Sequence, residues 1–245
     1  MKKTKAVLFT FYLLISISLV PQAFPESQNC NVTPEDVNRH FVVPVYSIDE
    51  VTDLKDQQLC QIFLYIYGQP AVLYMPYSKA YLIGGELFVN KQMFSQTKVM
   101  QVEAKNFEKY KSRIESLVAI TYTPPKGGDK IVYFFTDPDC PYCEQAKSKI
   151  KQIADEKGIT IKVIFFPLPM HPQAKGKAIS FICSKATYED YLNNHYGNQQ
   201  CPEGEEKVNK SIELAEELRI NGTPTFITQN GKRIPGLNLS AFDQL

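Results

Sequence analysis

Two cysteines separated by only two residues, Cys140-Pro141-Tyr142-Cys143, set the strongest limit on the architecture of this chain. The pair follows a run of β-forming residues, 131–135, across a four-residue turn. Because proline suits the first turn of a helix, the order strand, turn, helix is predicted, with Cys140 at the helix N-terminus. The unpaired backbone N–H groups and the helix dipole at that position favour the thiolate form of a cysteine.

The spacing gives the two thiols separate roles. Cys143 lies one helical turn beyond Cys140 on the same face, so its sulfur can reach back to the first sulfur. Such a pair predicts thiol–disulfide exchange, in which Cys140 attacks a substrate disulfide and Cys143 resolves the mixed disulfide. Three nearby acidic residues, Asp137, Asp139 and Glu144, are expected to oppose the thiolate by charge repulsion, an effect that salt screens.

Two other uses of the pair have to be weighed. It has the ligand spacing of a zinc site, for which Cys183, His195 and Cys201 could supply the remaining ligands. The sequence contains no second C-x-x-C, and the strand-to-helix context is that of a redox pair, so no metal is predicted. A purely structural bridge is disfavoured because closing so short a loop gains little chain entropy.

The first 23 residues have the layout of a secretory signal. Three lysines within the first five residues precede a mostly apolar segment, 6–20, and then Pro21-Gln22-Ala23. The apolar segment is shorter than the roughly 20 residues that span a membrane, so cleavage near Ala23 is predicted rather than retention as an anchor. Removing three lysines from the 27 basic and 26 acidic residues leaves a net charge of about −2. No nucleic-acid partner is expected for so nearly neutral a protein.

Composition divides the rest of the chain into three segments. Residues 24–91 are rich in β-branched and aromatic residues between turn signals, which predicts a small antiparallel sheet behind a short helix. Residues 92–122 are rich in Lys, Glu and Gln with apolar residues at helical spacing, which predicts a linker helix. Residues 123–245 alternate strand and helix patterns and end in a hairpin, which predicts an α/β domain.

Together these motifs resemble the thioredoxin superfamily. The C-x-x-C at a strand end is accompanied by a helical insertion with Cys183 and Cys201, and by Gly-Thr-Pro-Thr at residues 222–225 before the final hairpin. With its strand-rich N-terminal segment, the mature chain is similar to the bacterial periplasmic disulfide isomerases DsbC and DsbG. The resemblance implies an α/β thioredoxin-like domain with a helical insertion, joined by the linker helix to a small α+β (cystatin-like) N-terminal dimerisation domain.

The resemblance also assigns roles to individual residues. Thr223 and Pro224, joined by a cis peptide bond, would form the loop that docks an extended substrate segment opposite the cysteine pair. Pro141 and Tyr142 would tune the redox balance, and this dipeptide is that of DsbG and of glutaredoxins, whereas DsbC proteins usually have Gly-Tyr. Phe134 stands where thioredoxins carry a buried acid for their reductase cycle, which argues against a general reductase of that type.

The remaining cysteines are interpreted through the same family. Its members carry a buried structural disulfide in the helical insertion, which implies a Cys183–Cys201 bridge. Cys30 and Cys60 are then left to pair with each other, although the best-known members lack this pair, and an intermolecular bridge or a free thiol are the alternatives. His171 is interpreted as an ordinary loop residue, with tuning of the thiolate or contact with substrate as the alternatives.

The functional prediction is an exported, periplasmic protein disulfide isomerase or reductase that reshuffles incorrect disulfides through Cys140 and Cys143. By the resemblance, it works without a cofactor as a homodimer with an apolar cleft, and it acts on misfolded disulfide-containing secreted proteins. A DsbD-like membrane thiol reductase would return it to the reduced state. Two alternatives stay open: a DsbG-like reductase of sulfenylated cysteines, and a dimeric holdase chaperone that does not need its thiols.

Overall fold

Residues 30–243 and 245 are described by the structure, a computed structural model. They form a four-stranded, a five-stranded and a two-stranded sheet. The predicted signal segment, 1–23, lies outside the described residues. Within the described part of the chain, no helix has the length and apolar character needed to cross a membrane.

The described residues of the N-terminal part form a short α-helix, a 3-10 turn at Lys55–Gln57 and six strands. The helix and the strands are α1 (Pro34–Asn38), β1 (Glu50–Leu54), β2 (Leu59–Ile66), β3 (Gln69–Pro76), β4 (Ile83–Gly84), β5 (Phe88–Val89) and β6 (Gln92–Met93). The four-stranded sheet has the order β1-β2-β3-β4 and is antiparallel throughout. Strands β5 and β6 pair with each other.

The hairpin of β2 and β3 is the centre of this sheet. Its turn residues, Tyr67 and Gly68, both have positive φ, which is the conformation that a tight two-residue hairpin turn requires. One face of the hairpin, including Ile62 and Leu64, packs with Val37 of α1 into an apolar core. Side chains along β2 point alternately to the two faces of the sheet, and those on one face belong to this core.

The linker and the C-terminal part contain six helices and five strands. They are α2 (Phe94–Ser116), β7 (Ile120–Tyr122), β8 (Lys130–Thr136), α3 (Pro141–Lys157), β9 (Ile159–Phe165), α4 (Ala174–Cys183), α5 (Tyr188–Leu192), α6 (Pro202–Glu217), β10 (Thr225–Thr228), β11 (Arg233–Pro235) and α7 (Leu239–Phe242). The strands form one sheet in the order β11-β10-β8-β9-β7. Strands β8 and β9 run parallel and are joined through α3, and the other neighbours are antiparallel.

Strand β8 is apolar on both faces because helices cover both sides of the sheet. Val132 and Phe134 belong to the core that is shared with α3, α4 and α5. Tyr133 and Phe135 belong to the core on the other side, which is shared with α2 and α6. Packing on both faces therefore holds rigidly the strand that leads to the cysteine pair.

The helix between the two parts is shorter than the predicted segment 92–122. Gln92–Met93 form β6, the helix itself covers Phe94–Ser116, and Ile120–Tyr122 form β7 at the edge of the five-stranded sheet. A three-residue edge strand has too short a pattern to be recognised in a sequence, because its conformation depends on pairing with β9.

The β2–β3 hairpin of the N-terminal part rests on the C-terminal part. The Gly68 carbonyl accepts a hydrogen bond from the Arg233 guanidinium at 3.4 Å, and the guanidinium lies 5.1 Å from the centre of the Tyr65 ring. Arg233 is also 3.5 Å from Glu103 of α2, and both side chains are buried. A side chain at Gly68 would collide with Asn221, so the hairpin approaches this residue as closely as glycine allows.

Candidate active site

Cys140 lies at the N-terminus of α3. It is the N-cap residue, with extended backbone angles (φ −79°, ψ 119°), and Pro141 is the first helical residue. Its carbonyl accepts a hydrogen bond from the N–H of Glu144 at 3.1 Å, which closes the first turn of the helix. The Cys140 thiol donates to the backbone carbonyl of Thr223 at 3.4 Å, and the residue is 5% exposed. The sulfur therefore lies at the rim of the site and faces the loop before β10.

Cys143 lies one turn further along α3 and is fully buried. Its sulfur accepts a hydrogen bond from the backbone N–H of Asp137 at 3.4 Å. Burial raises the pKa of Cys143 to about 12, and hydrogen bonds to the sulfur offset only part of this effect. At neutral pH Cys143 is therefore a protonated thiol.

The loop opposite the pair contains a cis peptide bond between Thr223 and Pro224. The Thr225 hydroxyl donates a hydrogen bond to the Gly222 carbonyl at 2.7 Å, which closes the loop on itself. Thr223 and Cys140, whose carbonyl and sulfur are in contact, are 83 residues apart in the sequence. The fold thus brings together the cysteine motif and the Gly-Thr-Pro-Thr motif that the sequence singles out.

Each of the three carboxylates around the cysteine pair has a basic side chain as its partner. The pairs are Asp137 with His171 at 2.8 Å, Asp139 with Lys177, and Glu144 with Lys147 at 2.8 Å. Pairing with Lys177 and Lys147 reduces the negative charge that Asp139 and Glu144 project onto their surroundings. Two of the partners come from the segment after β9, 34 and 38 residues away, where no local pattern connects them to the site.

Asp137 is the most deeply placed of these acids, with its side chain fully buried. Besides Nδ1 of His171, its carboxylate accepts hydrogen bonds from the backbone N–H groups of Asp139 and Leu168, both at 2.7 Å. The sequence interprets His171 as a loop residue. In the structure it contacts Asp137, whose backbone N–H in turn contacts the Cys143 sulfur. This carboxylate ties the turn before Cys140 to the loop after β9.

The other four cysteines form two bridges. Cys30 is bonded to Cys60 with 5.4 Å between the Cα atoms, and Cys183 is bonded to Cys201 with 5.8 Å. The first bridge attaches the start of the described chain to β2, and the second joins the end of α4 to the residue that caps α6. Both pairings are those that the sequence interpretation favours, and they leave the C-x-x-C pair as free thiols.

The second bridge also bears on the zinc alternative. Cys183 and Cys201 are bonded to each other and are not available as thiolate ligands. The His195 side chain is 71% exposed and lies 3.8 Å from Asp190. In the part of the chain that the structure describes, no group of three or more His, Cys, Asp or Glu side chains is arranged to hold a metal ion. Two of the three additional ligands that the zinc alternative requires, Cys183 and Cys201, are therefore bonded to each other.

Two cavities flank the site and differ in character. One, of about 580 Å³, lies between the β2–β3 hairpin and residues 219–221 before the cis loop, and its aromatic walls include Tyr46, Tyr65 and Tyr67. The other, of about 540 Å³, has Cys140 in its wall together with charged and amide side chains from α3, α4 and the loop after α5. Cys140 therefore borders a polar cavity, with an apolar one beyond the cis loop.

Sequence reasoning missed several polar residues beneath the pair. The Thr136 hydroxyl is hydrogen bonded to the Tyr191 hydroxyl at 2.8 Å, and both groups are buried. Lys147 is also buried, with a side chain that is 2% exposed. A signal for Lys147 existed, because it lies four residues after Cys143 on the face of α3 that carries Ala146 and other small or apolar residues.

A C-x-x-C pair at a helix N-terminus, on a mixed sheet and opposite a cis-proline loop, defines a thioredoxin-like protein. The sequence profile of the thioredoxin-like domain family matches residues 119–244, which is more than half of the chain. The chain therefore belongs to this family. The match begins at residue 119, so the assignment of the N-terminal sheet as a dimerisation domain stays a prediction.

Curated relatives narrow the relationship. The chain is 24% identical over 111 residues to the probable thiol:disulfide interchange protein DsbC of Bordetella pertussis, a match that covers 44% of this chain and 38% of the relative. It is 26% identical over 124 residues to the corresponding protein of Bordetella avium, covering 49% of this chain and 42% of the relative. The chain thus spans about two fifths of the length of these relatives. The predicted relationship to the DsbC and DsbG type of thioredoxin superfamily protein is confirmed.

Among solved structures, Helicobacter pylori DsbG is 18% identical to this chain with a TM-score of 0.38. That alignment covers 74% of this chain and 92% of the DsbG chain.

Proposed function

We propose that this protein is a thiol:disulfide oxidoreductase of the disulfide isomerase type, with Cys140 as the nucleophile and Cys143 as the resolving thiol. The unlike surroundings of the two free thiols carry the proposal. Cys140 lies at a helix N-terminus against the Thr223 carbonyl, whereas Cys143 is buried on the same helix. A helix N-terminus stabilises a thiolate, and the thiolate is the species that attacks a disulfide.

In the proposed reaction, the Cys140 thiolate attacks one sulfur of a substrate disulfide. A bond forms between Cys140 and that sulfur, the substrate S–S bond breaks, and the other substrate sulfur leaves as a thiolate that takes a proton from water. In isomerisation, a substrate thiolate then attacks the mixed disulfide and releases Cys140, so no net electrons are transferred. In reduction, Cys143 loses its proton to water and attacks the Cys140 sulfur. The Cys140–Cys143 bond forms, the bond to the substrate breaks, and the substrate sulfur leaves as a thiolate that takes up a proton, so the substrate gains two electrons from the pair.

The burial of Cys143 supports isomerisation over simple reduction. Because burial raises the pKa of Cys143 to about 12, its thiolate is scarce at neutral pH and the resolving step is slow. A slow resolving step leaves the mixed disulfide time to rearrange within the substrate. Reduction of sulfenylated cysteines uses the same two thiols and is the second candidate, since it also begins with attack by Cys140.

Substrate docking is assigned to the cis loop and to the surface around it. Thr223 and Pro224 are proposed to bind an extended substrate segment through their backbone, beside the Cys140 sulfur. The neighbouring aromatic cavity supports binding of apolar segments of unfolded chains, and Tyr46 and Tyr67 in its wall are 90% and 75% exposed. At the rim, Tyr142 is 68% exposed and with Pro141 is proposed to tune the redox balance.

The cellular setting forms part of the same proposal. Two structural bridges are typical of proteins that work in an oxidising compartment, which supports the proposed periplasmic location. Misfolded disulfide-containing secreted proteins are the proposed substrates. A DsbD-like membrane thiol reductase returns the pair to its reduced form. A homodimer is proposed through the N-terminal sheet, whose short edge strand β4 carries the exposed Ile83.

Recovery of activity from a scrambled disulfide protein tests the proposal. Wild type should restore the substrate, and Cys140→Ser should lose about 10³-fold or more of that rate, because no thiolate is left to attack. Cys143→Ser is the matched control: it still attacks and should accumulate a covalent mixed disulfide that mass spectrometry detects. A Cys140→Ser variant as active as wild type would refute the assignment.

Two further arms separate the alternatives. The ratio of rates on a sulfenylated protein and on the scrambled protein distinguishes a sulfenic acid reductase from an isomerase. Suppression of aggregation by the double variant Cys140→Ser/Cys143→Ser, at the wild-type level, would support a holdase.

A further inference from the structure

The side chain of Lys147 is a buried charge that the thiol–disulfide reaction described above does not use. It lies in the middle of α3 with 2% of its side chain exposed. Burying an ammonium group is costly unless its donors are paired. Its place in the fold therefore needs a physical reason.

The Lys147 ammonium is fully paired. It donates to Oδ1 of Asn194 at 2.5 Å and to the Tyr196 hydroxyl at 2.9 Å, and it lies 2.8 Å from Oε2 of Glu144. The ammonium also lies 4.5 Å from the centre of the Tyr191 ring, within the range of a cation–π contact. These partners hold the ammonium in one position beneath the cysteine pair.

Lys147 shares its helix face with the resolving cysteine. Residues four apart on a helix have Cβ atoms about 5–6 Å apart, and Cys143 and Lys147 are both buried on this face. Burial lowers the pKa of Lys147, whereas the ion pair with Glu144 and the nearby Cys143 raise it. The ammonium and a negative charge on the cysteine pair therefore stabilise each other.

The charge of Glu144 does not cancel this effect at the sulfurs. The Glu144 side chain is 50% exposed, so water screens its carboxylate, whereas the ammonium of Lys147 is enclosed by protein. Of the other charges around the pair, Asp137 and Asp139 are held by His171 and Lys177. Lys147 thus places a buried cation on the helix face of Cys143.

We propose that Lys147 is a positioning residue whose buried ammonium stabilises the thiolate form of the reduced Cys140/Cys143 pair and so makes the pair more oxidising. The inference rests on the proposed function. When two glutathione thiols reduce the Cys140–Cys143 disulfide, the protein S–S bond breaks and a glutathione disulfide forms. Of the two protons that the glutathione thiols release, Cys143 takes up one. The other passes to water in the thiolate form of Cys140 and stays on the sulfur in its thiol form, and the ammonium favours the first of these two forms.

Redox equilibration of the full chain with glutathione, followed by trapping of free thiols, tests the role. In Lys147→Met the charge is removed and the length of the stem is kept, so the equilibrium should move about tenfold toward the disulfide, and alkylation of Cys140 by iodoacetamide at pH 6 should slow by a similar factor. Glu144→Gln removes the opposing charge at a half-exposed position and should move the equilibrium the other way. Lys151→Met, one turn further along α3 with a side chain 33% exposed and paired with Asp155, is the control and should match wild type.

A purely structural role predicts a different pattern. If Lys147 only anchors the loop that contains Asn194 and Tyr196, Lys147→Met will lower the melting temperature and leave the equilibrium constant unchanged, which overturns the inference. Should Lys147→Met fail to fold, Lys147→Gln, which removes the charge and keeps a hydrogen-bond donor, replaces it, and an unshifted equilibrium in that variant overturns the inference equally. A wild-type pair that does not exchange with glutathione at all refutes the proposed function, whereas a redox-active wild type with unshifted variants refutes this inference alone.

Discussion

The thioredoxin-like part contains two cysteine pairs that can be compared directly. The Cys183–Cys201 bridge joins the end of α4 to the cap of α6, across 18 residues of sequence. The Cys140/Cys143 pair lies within a single turn of α3, and one of its sulfurs borders a cavity. A bond between two elements removes much of the entropy of the unfolded chain, whereas a bond within one turn removes little. The first pair therefore stabilises the fold, and the second can change oxidation state without unfolding it.

The surroundings of the sulfurs follow the same division. Gly204 of α6 packs so closely on the bridge that a Cβ atom there would lie 2.6 Å from the Cys183 sulfur. At the C-x-x-C pair, the Cys140 sulfur instead contacts a backbone carbonyl of the cis loop and lies in the wall of a cavity. The two pairs differ in what lies against the sulfurs and not in greater exposure of the free thiols, because Cys183 and Cys201 are half-buried whereas Cys140 is 5% exposed.

The largest expected effect concerns pH at the redox pair. The resolving rate of an isolated Cys140 mixed disulfide should rise about tenfold per pH unit between pH 7 and 10, because the pKa of Cys143 is raised to about 12 and its thiolate fraction grows by that factor. Rapid acid quenching followed by mass spectrometry measures the rate. A rate that is flat over this range would show that Cys143 is not the buried, protonated thiol described here.

Removal of the Cys183–Cys201 bridge should lower the stability of the protein and leave its rate of disulfide exchange unchanged. The double variant Cys183→Ala/Cys201→Ala is expected to lose about 3 kcal/mol of unfolding free energy by loop closure alone, and to keep the wild-type rate of disulfide exchange per folded molecule. Urea unfolding and the scrambled-protein assay measure the two quantities. Loss of exchange in a folded double variant would mean that the two pairs are coupled.

A smaller effect is expected at the glycine that packs on the bridge. Gly204→Ala should destabilise the protein by about 1 kcal/mol, because crowding against the Cys183 sulfur and the Ile179 carbonyl outweighs the better helix propensity of alanine. The matched control is Gly176→Ala in α4, where a Cβ atom would meet nothing within 4 Å and the same change should stabilise by up to about 1 kcal/mol. Equal thermal shifts for the two variants would contradict the close packing at Gly204.

The local patterns of the sequence predicted much of this molecule. The strand before Cys140, the proline in the first helical turn and the short turn between them are specified by neighbouring residues, and the structure has them at the predicted places. The antiparallel sheet of the N-terminal part and the helical spacing of α2 also follow local patterns. The short edge strand β7 has no such pattern, because it exists only through pairing with β9. Local conformation depends on residues that are close in the chain.

The sequence by itself determined that Cys140 stands at a helix N-terminus with a second thiol one turn away. Only the tertiary structure decided what surrounds that pair: the burial of Cys143, the paired carboxylates, and the ammonium of Lys147 against a loop 47 residues away. The physical reason is that burial and charge pairing are properties of space rather than of sequence distance. The helix N-terminus is readable beside the thiol, whereas several of the groups that bury and surround it come from distant parts of the chain.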